Sequence, residues 1–316
     1  MKMKVKMNKT LIAGLILAAF MVLIALIGPF IAPHELNHQV KIEYVVGQDG
    51  DGYVVAPPVA PGSKEYPLGT DKNGYDLLTK LLHGAKYTIF LSIGIAVARV
   101  AVGGLIGLLL GFYVKPQREG KEGTGKASFW SVLNGIPIFL IVWLMMIGIT
   151  INPAASPFAM SMILAVVLLV VGVPSVASTV KEKTLIIRER QFVTASRSLG
   201  AGGWRIIGSH LIPHLKESFL ILIVQEIILV LTLFGQLALF NVFVGGTTMY
   251  FDPPEYHSRT SEWAGLIGHN RMSFYANEWI FYVPLAAYAL LIIGFALVSK
   301  GLEQRYNKMF SKFSHF

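Results

Sequence analysis

The sequence predicts an all-α, polytopic membrane protein with six transmembrane helices. Three observations predict it. Hydrophobic residues make up 54% of the 316 and only 14% are charged, and the mean hydropathy is +0.59; this is the composition of a membrane chain. Six apolar runs, at 11–31, 88–113, 129–149, 160–180, 219–244 and 279–298, reach the roughly 20 residues that cross a hydrocarbon layer. The basic residues then sort by side. With the N-terminus inside, 19 Lys and Arg fall on inner segments and 7 on outer ones, with Arg99 inside a span. That bias predicts both termini and the 187–215 loop in the cytoplasm. It also accounts for the net charge of +9 without invoking nucleic acid. The lack of cysteine excludes disulfides and thiolate metal sites but says nothing of compartment.

These runs divide the chain into a tail and first span (1–32), an external loop with an interfacial helix (33–86), a five-helix core (87–300) and an inner tail (301–316). The first span follows a basic start, as a signal peptide would. It is too long for one and no small-residue cleavage site closes it, so an uncleaved span is predicted. His34-Glu35-Leu36-Asn37-His38 spells the zinc-protease motif. That chemistry needs both His on one helix and a third ligand. Pro33 and the β-prone 40–46 stretch leave hardly one helical turn, so no metal site is expected. Val40–Val46 and Tyr53–Ala56 predict a small hairpin around a glycine-rich turn; two Asp in that turn, Asp49 and Asp51, are too few ligands for calcium. Residues 57–67 read as an extended linker. Over 73–86, Leu77, Leu78, Leu81 and Leu82 share a face opposite Asp76 and Lys80, which predicts a helix lying in the outer interface.

The second span carries Gly103, Gly107 and Gly111 at a spacing that lets helices approach closely, either within this chain or with another. The loop Gly120–Ala127 nearly spells a P-loop, but Ala127 stands where the Mg²⁺-binding hydroxyl must be and no strand precedes it. ATP, if used, must therefore bind another chain. Pro137, Pro174 and Pro284 lie inside predicted spans and favour kinks. Arg99 and Glu226 are intramembrane charges that each need a partner or a water-filled cavity. With Gln225 they are the candidates for a translocation pathway, and Glu226 is placed nearer the inner end than Arg99. Residues 245–276 form an outer loop, followed by aromatics suited to an interface belt.

The segment 187–215 is polar and basic between two long apolar runs. It reads as two short helices broken at Gly200-Ala201-Gly202-Gly203. Gly200 suits the left-handed position that ends a helix, Trp204 opens the second helix, and Pro213 limits it. Such a segment suits a short helix against the membrane, offering a knob to a cytoplasmic partner.

This segment resembles the "EAA" coupling loop of ABC importer permeases of the dipeptide/oligopeptide (peptide/nickel) branch, usually V-E-A-A-R-A-L-G-A-S-x-W-R-I-I with I-L-P closing it. Here it reads Val193-Thr194-Ala195-Ser196-Arg197-Ser198-Leu199-Gly200-Ala201-Gly202-Gly203-Trp204-Arg205-Ile206-Ile207, then Leu211-Ile212-Pro213. Thr194 replaces the usual Glu, and Gly202-Gly203 replaces the pair that would cap the second helix. A second block, Pro67-Leu68-Gly69-Thr70-Asp71 through Gly84-Ala85-Lys86, is similar to the stretch before the second span in the C-type subunit of that branch. The resemblance implies an inner-membrane permease importing peptides or peptide-like solutes. It implies a second homologous permease, one or two ABC ATPase subunits holding ATP and Mg, and an extracytoplasmic solute-binding protein as partners. ATPase coupling would fall on Arg190, Val193, Thr194, Ala195, Arg197, Gly200, Ala201 and Trp204, with no catalytic residue and no cofactor in this chain. The rival from the residues alone is a single-chain, ion-coupled secondary transporter. It would need intramembrane acids, of which Glu226 is the only clear one. The membrane zinc protease is the third reading.

Overall fold

A polar side chain ahead of an apolar run starts the first helix. The Asn8 side chain accepts from the Thr10 N–H and caps α1 (Lys9–Ile31), satisfying a donor the helix leaves unpaired. The computed structural model describes residues 8–46, 52–114 and 136–311. The Gly120–Ala127 loop, the Asp49 and Asp51 turn and the first part of the predicted third span lie outside the described residues.

After α1 come β1 (Glu43–Val46) and β2 (Gly52–Val55), the expected hairpin, paired antiparallel with Glu43 opposite Val55. Next are α2 (Leu77–Tyr113), α3 (Ile138–Thr150), α4 (Pro157–Arg188), α5 (Gln191–Ser198) and α6 (Gly203–Ile206). A π turn (Ile207–Leu211), α7 (Ile212–Leu239), a second hairpin of β3 (Thr247–Phe251) and β4 (Pro254–Ser258), α8 (Trp263–His269), a 3₁₀ turn and α9 (Glu278–Ser311) complete the chain. Among the described residues five helices are long and apolar enough to cross a membrane, while Ile138–Thr150 is shorter. Their outward flanks carry large apolar side chains, such as Ile16 at 66% exposed, Leu144 at 66% and Val170 at 61%. An apolar surface this extensive belongs in lipid.

The structure corrects three expectations. The interfacial helix does not exist separately. Asp76 accepts from the Leu78 and Thr79 N–H groups and caps a single 37-residue helix, so Leu77, Leu81 and Leu82 are core residues. Pro137 stands at the N-cap of α3 and interrupts nothing within it; Pro174 and Pro284 do lie inside helices. Pro213 does not end the second short helix of the 187–215 segment, because Gly203–Leu239 runs on as one helix. The π turn explains how. The Ile212 N–H reaches back to the Ile207 carbonyl, five residues away. That widened turn makes room where the proline ring would otherwise strike the carbonyl four residues before it.

α2 packs along α4, and α1 along α9. Gly103, Gly107 and Gly111 all face α4, so this spacing serves packing within the chain. A Cβ at Gly107 would stand 2.4 Å from the Ala177 carbonyl oxygen, and one at Gly111 2.6 Å from Thr184 Cβ. Two backbones at that separation cannot yield as a side chain can. Gly107→Val is therefore expected to cost about 1–3 kcal/mol or more by overpacking, read as a lower melting temperature of the solubilised protein. Gly148→Val, where nothing lies within 4 Å of the added carbon, serves as the control.

The core has two parts. One surrounds Phe234, Leu237, Trp263 and Leu291 and reaches the end that carries the hairpins. The other joins Val100, Leu108, Phe112, Val176 and Val180 to Val193, Ile206, Ile207, Leu211 and Leu215 at the opposite end. This second cluster anchors the segment singled out by sequence.

Candidate coupling site

Residues 187–207 form a helix–turn–helix laid across the ends of α2 and α4. α5 ends in a Schellman motif. The Gly200 N–H donates to the Arg197 carbonyl at 3.0 Å and the Ala201 N–H to the Ser196 carbonyl at 3.1 Å. This closure requires the left-handed backbone that Gly200 adopts, φ +83°. α6 starts at Gly202 with no side-chain cap, the consequence of two glycines where a hydroxyl or carboxylate would serve.

Anchoring and exposure separate cleanly along the segment. Val193 is 1% exposed and sits in the second core cluster. The Arg197 guanidinium lies 5.3 Å from the Phe112 ring centroid, a cation–π contact. Arg188 donates to the Phe112 and Val114 carbonyls at 3.1 and 2.9 Å, satisfying acceptors at the C-terminus of α2. Phe192 stacks on His214 at 4.7 Å. A cleft of about 700 Å³ opens beside these contacts, lined by Tyr113, Arg188, Glu189, Thr194, Arg197 and Ala201.

The outward face is apolar at two points. Leu199 is 88% exposed and Trp204 69%, and they flank Gly200. Arg190, Thr194 and Ala195 are also exposed. Thr194 donates its hydroxyl to the Arg190 carbonyl at 3.3 Å, so it is turned back onto its own helix. Sequence reasoning passed over Leu199 and Phe192; the readable signal was an apolar residue immediately before a helix-ending glycine.

The pathway candidates are arranged differently from the expectation. Arg99 is wholly buried. Its Nη1 donates to Glu226 Oε2 at 3.1 Å, and its Nε and Nη2 donate to the Leu168 carbonyl at 2.9 and 2.6 Å. Gly172 leaves the space: a Cβ there would stand 2.2 Å from Arg99 Nε. One side chain thus ties α2, α4 and α7 together. Arg99 is held here by an intrachain ion pair, and the same bond occupies the acid that a secondary transporter would need. Glu226 thus supplies the partner that a buried arginine needs away from water. Gln225 points elsewhere and donates to Glu303 Oε1 at 2.9 Å, joining α7 to α9.

At the hairpin end, His34 and His38 stack with centroids 4.6 Å apart. His34 Nδ1 lies 3.4 Å from Asp76 and His38 Nε2 3.2 Å from the Tyr66 hydroxyl. Among the described residues no three His, Cys, Asp or Glu stand where they could hold a metal. Asp71 takes the Asn73 and Tyr75 N–H groups and the Lys80 ammonium at 2.6 Å, so the Gly69-Thr70-Asp71 block is a folded corner. Trp279 holds it through its ring N–H to the Thr70 carbonyl at 3.2 Å, and Trp263 ties α8 to α2 through its ring N–H to the Leu81 carbonyl at 2.8 Å.

Glu262, beside Trp263, is 1% exposed. Burial pushes its carboxyl up to about 7, against a partial pull from the backbone N–H groups of Gly265, Val244 and Ala264. Between 4.5 and 7 the folded chain keeps a proton that the unfolded chain has released. This group's contribution is therefore complete below about pH 4.5 and is lost as pH rises through 7, a change on the order of 3 kcal/mol. The melting temperature should fall over that window, and Glu262→Gln should flatten the fall.

Comparison with known proteins accords with this geometry. A family model described as the binding-protein-dependent transport system inner membrane component matches residues 103–308. Another, the N-terminal TM domain of oligopeptide transport permease C, matches residues 3–49. The di/tripeptide transport system permease protein DppC of Pseudomonas aeruginosa is 25% identical over 298 residues, 94% of this chain and 87% of its own. The dipeptide transport system permease protein DppC of Haemophilus influenzae is 24% identical over 300 residues, 94% and 90% of the two chains. The probable D,D-dipeptide transport system permease protein DdpC of Escherichia coli is 23% identical over 292 residues, 92% and 85%. The first family model covers most of the core helices together with the anchored helix–turn–helix between α4 and α7, and so the chain belongs to the family of binding-protein-dependent transport system inner membrane components.

Proposed function

We propose that this permease is the C-type subunit of an ATP-driven importer of peptides or peptide-like solutes. Both termini and residues 187–215 lie in the cytoplasm, and the two hairpins lie outside. Solute arrives from an extracytoplasmic binding protein, and a second homologous permease completes the passage. One or two ABC ATPase subunits, carrying ATP and Mg, dock on the outward face of α5 and α6. The relatives' names supply the solute class. The observation that carries the mechanism is continuity: α6, the π turn and α7 form one helix, while Val193 and Ile206 lock α5 and α6 into the same cluster. An ATPase that moves Leu199 and Trp204 sideways therefore moves a membrane span, the rigid-body change that alternating access needs. Gly200, Ala201, Arg190, Thr194, Ala195 and Arg197 shape the docking face.

The test is mass spectrometry of everything that co-purifies with the tagged chain in mild detergent. A second permease and one or two P-loop ATPases are expected. A chain that purifies alone and moves solute into liposomes without ATP overturns the proposal.

A further inference from the structure

At the end that carries the coupling segment, α7 and α9 part around a cleft of about 390 Å³. Its walls are Leu220, Ile221, Leu302 and Tyr306, and its rim carries Lys216, Arg305 and Glu217. Leu220 is 55% exposed. Lys216 and Arg305 are both exposed, and among the described residues neither has a hydrogen-bond or ion-pair partner for its side chain. The nearby acid Glu303 is already occupied, accepting from Gln225 at 2.9 Å and from the Ser299 hydroxyl at 3.3 Å. The rim therefore holds two cations against one carboxylate.

The level of the cleft matters as much as its charge. On α9 the apolar run stops at Val298 and Lys300 follows; on α7 Lys216-Glu217-Ser218 precedes the apolar run that starts at Phe219. The cleft thus straddles the boundary where hydrocarbon gives way to headgroups. An occupant must be apolar toward Leu220 and Leu302 and anionic toward Lys216 and Arg305. A free anion would leave the apolar walls uncovered, and a neutral lipid would leave both cations unmatched.

We propose that this cleft is a binding site for an anionic phospholipid, with the phosphate between Lys216 and Arg305 and an acyl chain along Leu220, Ile221 and Leu302. Basic pockets between helices at a membrane face take such headgroups. The lipid fastens α7 to α9 beyond the Gln225–Glu303 bond, at the base of the helix that continues into the coupling segment. The site depends on the chain spanning a bilayer and is independent of the transported solute.

The experiment uses the full chain, delipidated in neutral detergent, with phosphatidylglycerol and phosphatidylcholine as probes and native mass spectrometry as readout. Phosphatidylglycerol is expected to bind about fivefold more tightly, the net of two cations that attract its headgroup and one carboxylate that opposes it. Lys216→Gln/Arg305→Gln should bring the two lipids level. Lys183→Gln/Lys300→Gln, which removes two cations of the same end outside the cleft, should keep the preference. Equal binding of both lipids by the native chain overturns the proposal, as does a preference that survives in the Lys216→Gln/Arg305→Gln variant. Displacement by millimolar inorganic phosphate as effective as by the lipid would mark a free-anion site and also overturn it. So would loss of a co-purifying protein from that variant with lipid binding unchanged.

Discussion

Arg99→Ala is expected to destabilise the chain by about 3–5 kcal/mol, because it leaves the Glu226 carboxylate buried and unpaired. Glu226→Ala should do comparable damage by stranding the guanidinium, which then keeps only the Leu168 carbonyl. Thermal unfolding in detergent and the amount of chain reaching the membrane both read this. The sharper result concerns the pair. Arg99→Met/Glu226→Leu removes both charges together and is expected to recover most of the loss, since well-packed apolar replacements of buried ion pairs are often neutral or better. Substrate uptake by this double variant then decides function. Near-native uptake assigns the pair to holding α2, α4 and α7 together; a stable but inactive double variant would assign it a part in translocation instead. Native stability in Arg99→Ala alone would contradict the clamp.

Gly200→Val is expected to reduce uptake between about fivefold and thirtyfold at equal membrane level. The left-handed backbone that Gly200 holds, φ +83°, costs other residues about 1–2 kcal/mol, and a β-branched side chain tolerates it worst. Nothing lies within 4 Å of the carbon that would be added. Any effect must therefore come through the turn and not through a clash, and the spans should melt as before. Gly200→Asn should be milder, because asparagine enters this region more easily. Full uptake by the Gly200→Val variant would remove the turn from the coupling mechanism.

The parts of this structure that were legible in the sequence are those fixed by short-range chemistry. Gly200 predicted the end of α5, Gly202-Gly203 predicted a weakly capped α6, and the apolar runs predicted the long helices. The parts that were not legible depend on what lies across from a residue. Arg99 and Glu226 were both visible as intramembrane charges. Their pairing was hidden because apolar runs give no sign of which helix faces turn toward one another. Pro213 looked like a terminator because the π turn that accommodates it has no marker in Ile207-Gly208-Ser209-His210-Leu211. The β3–β4 hairpin was readable in Thr247-Thr248-Met249-Tyr250-Phe251, yet the surrounding glycines and prolines favoured an irregular loop. Nothing local announces that Glu262 is buried; that follows from Trp263 docking against α2.

The unbroken helix from Gly203 to Leu239 also behaves as a beam with a fulcrum. Trp204 lies 22 residues from Glu226, and Leu239 lies 13 residues beyond it on the other side, so the two arms measure roughly 33 and 20 Å at 1.5 Å per residue. With the beam pinned where Arg99 grips Glu226, a push of about 3 Å on the long arm would swing the far tip by roughly 2 Å in the opposite direction. Under the proposed docking of an ATPase at Trp204 the gearing would be a reduction, displacement shrinking toward Leu239 while the available force grows.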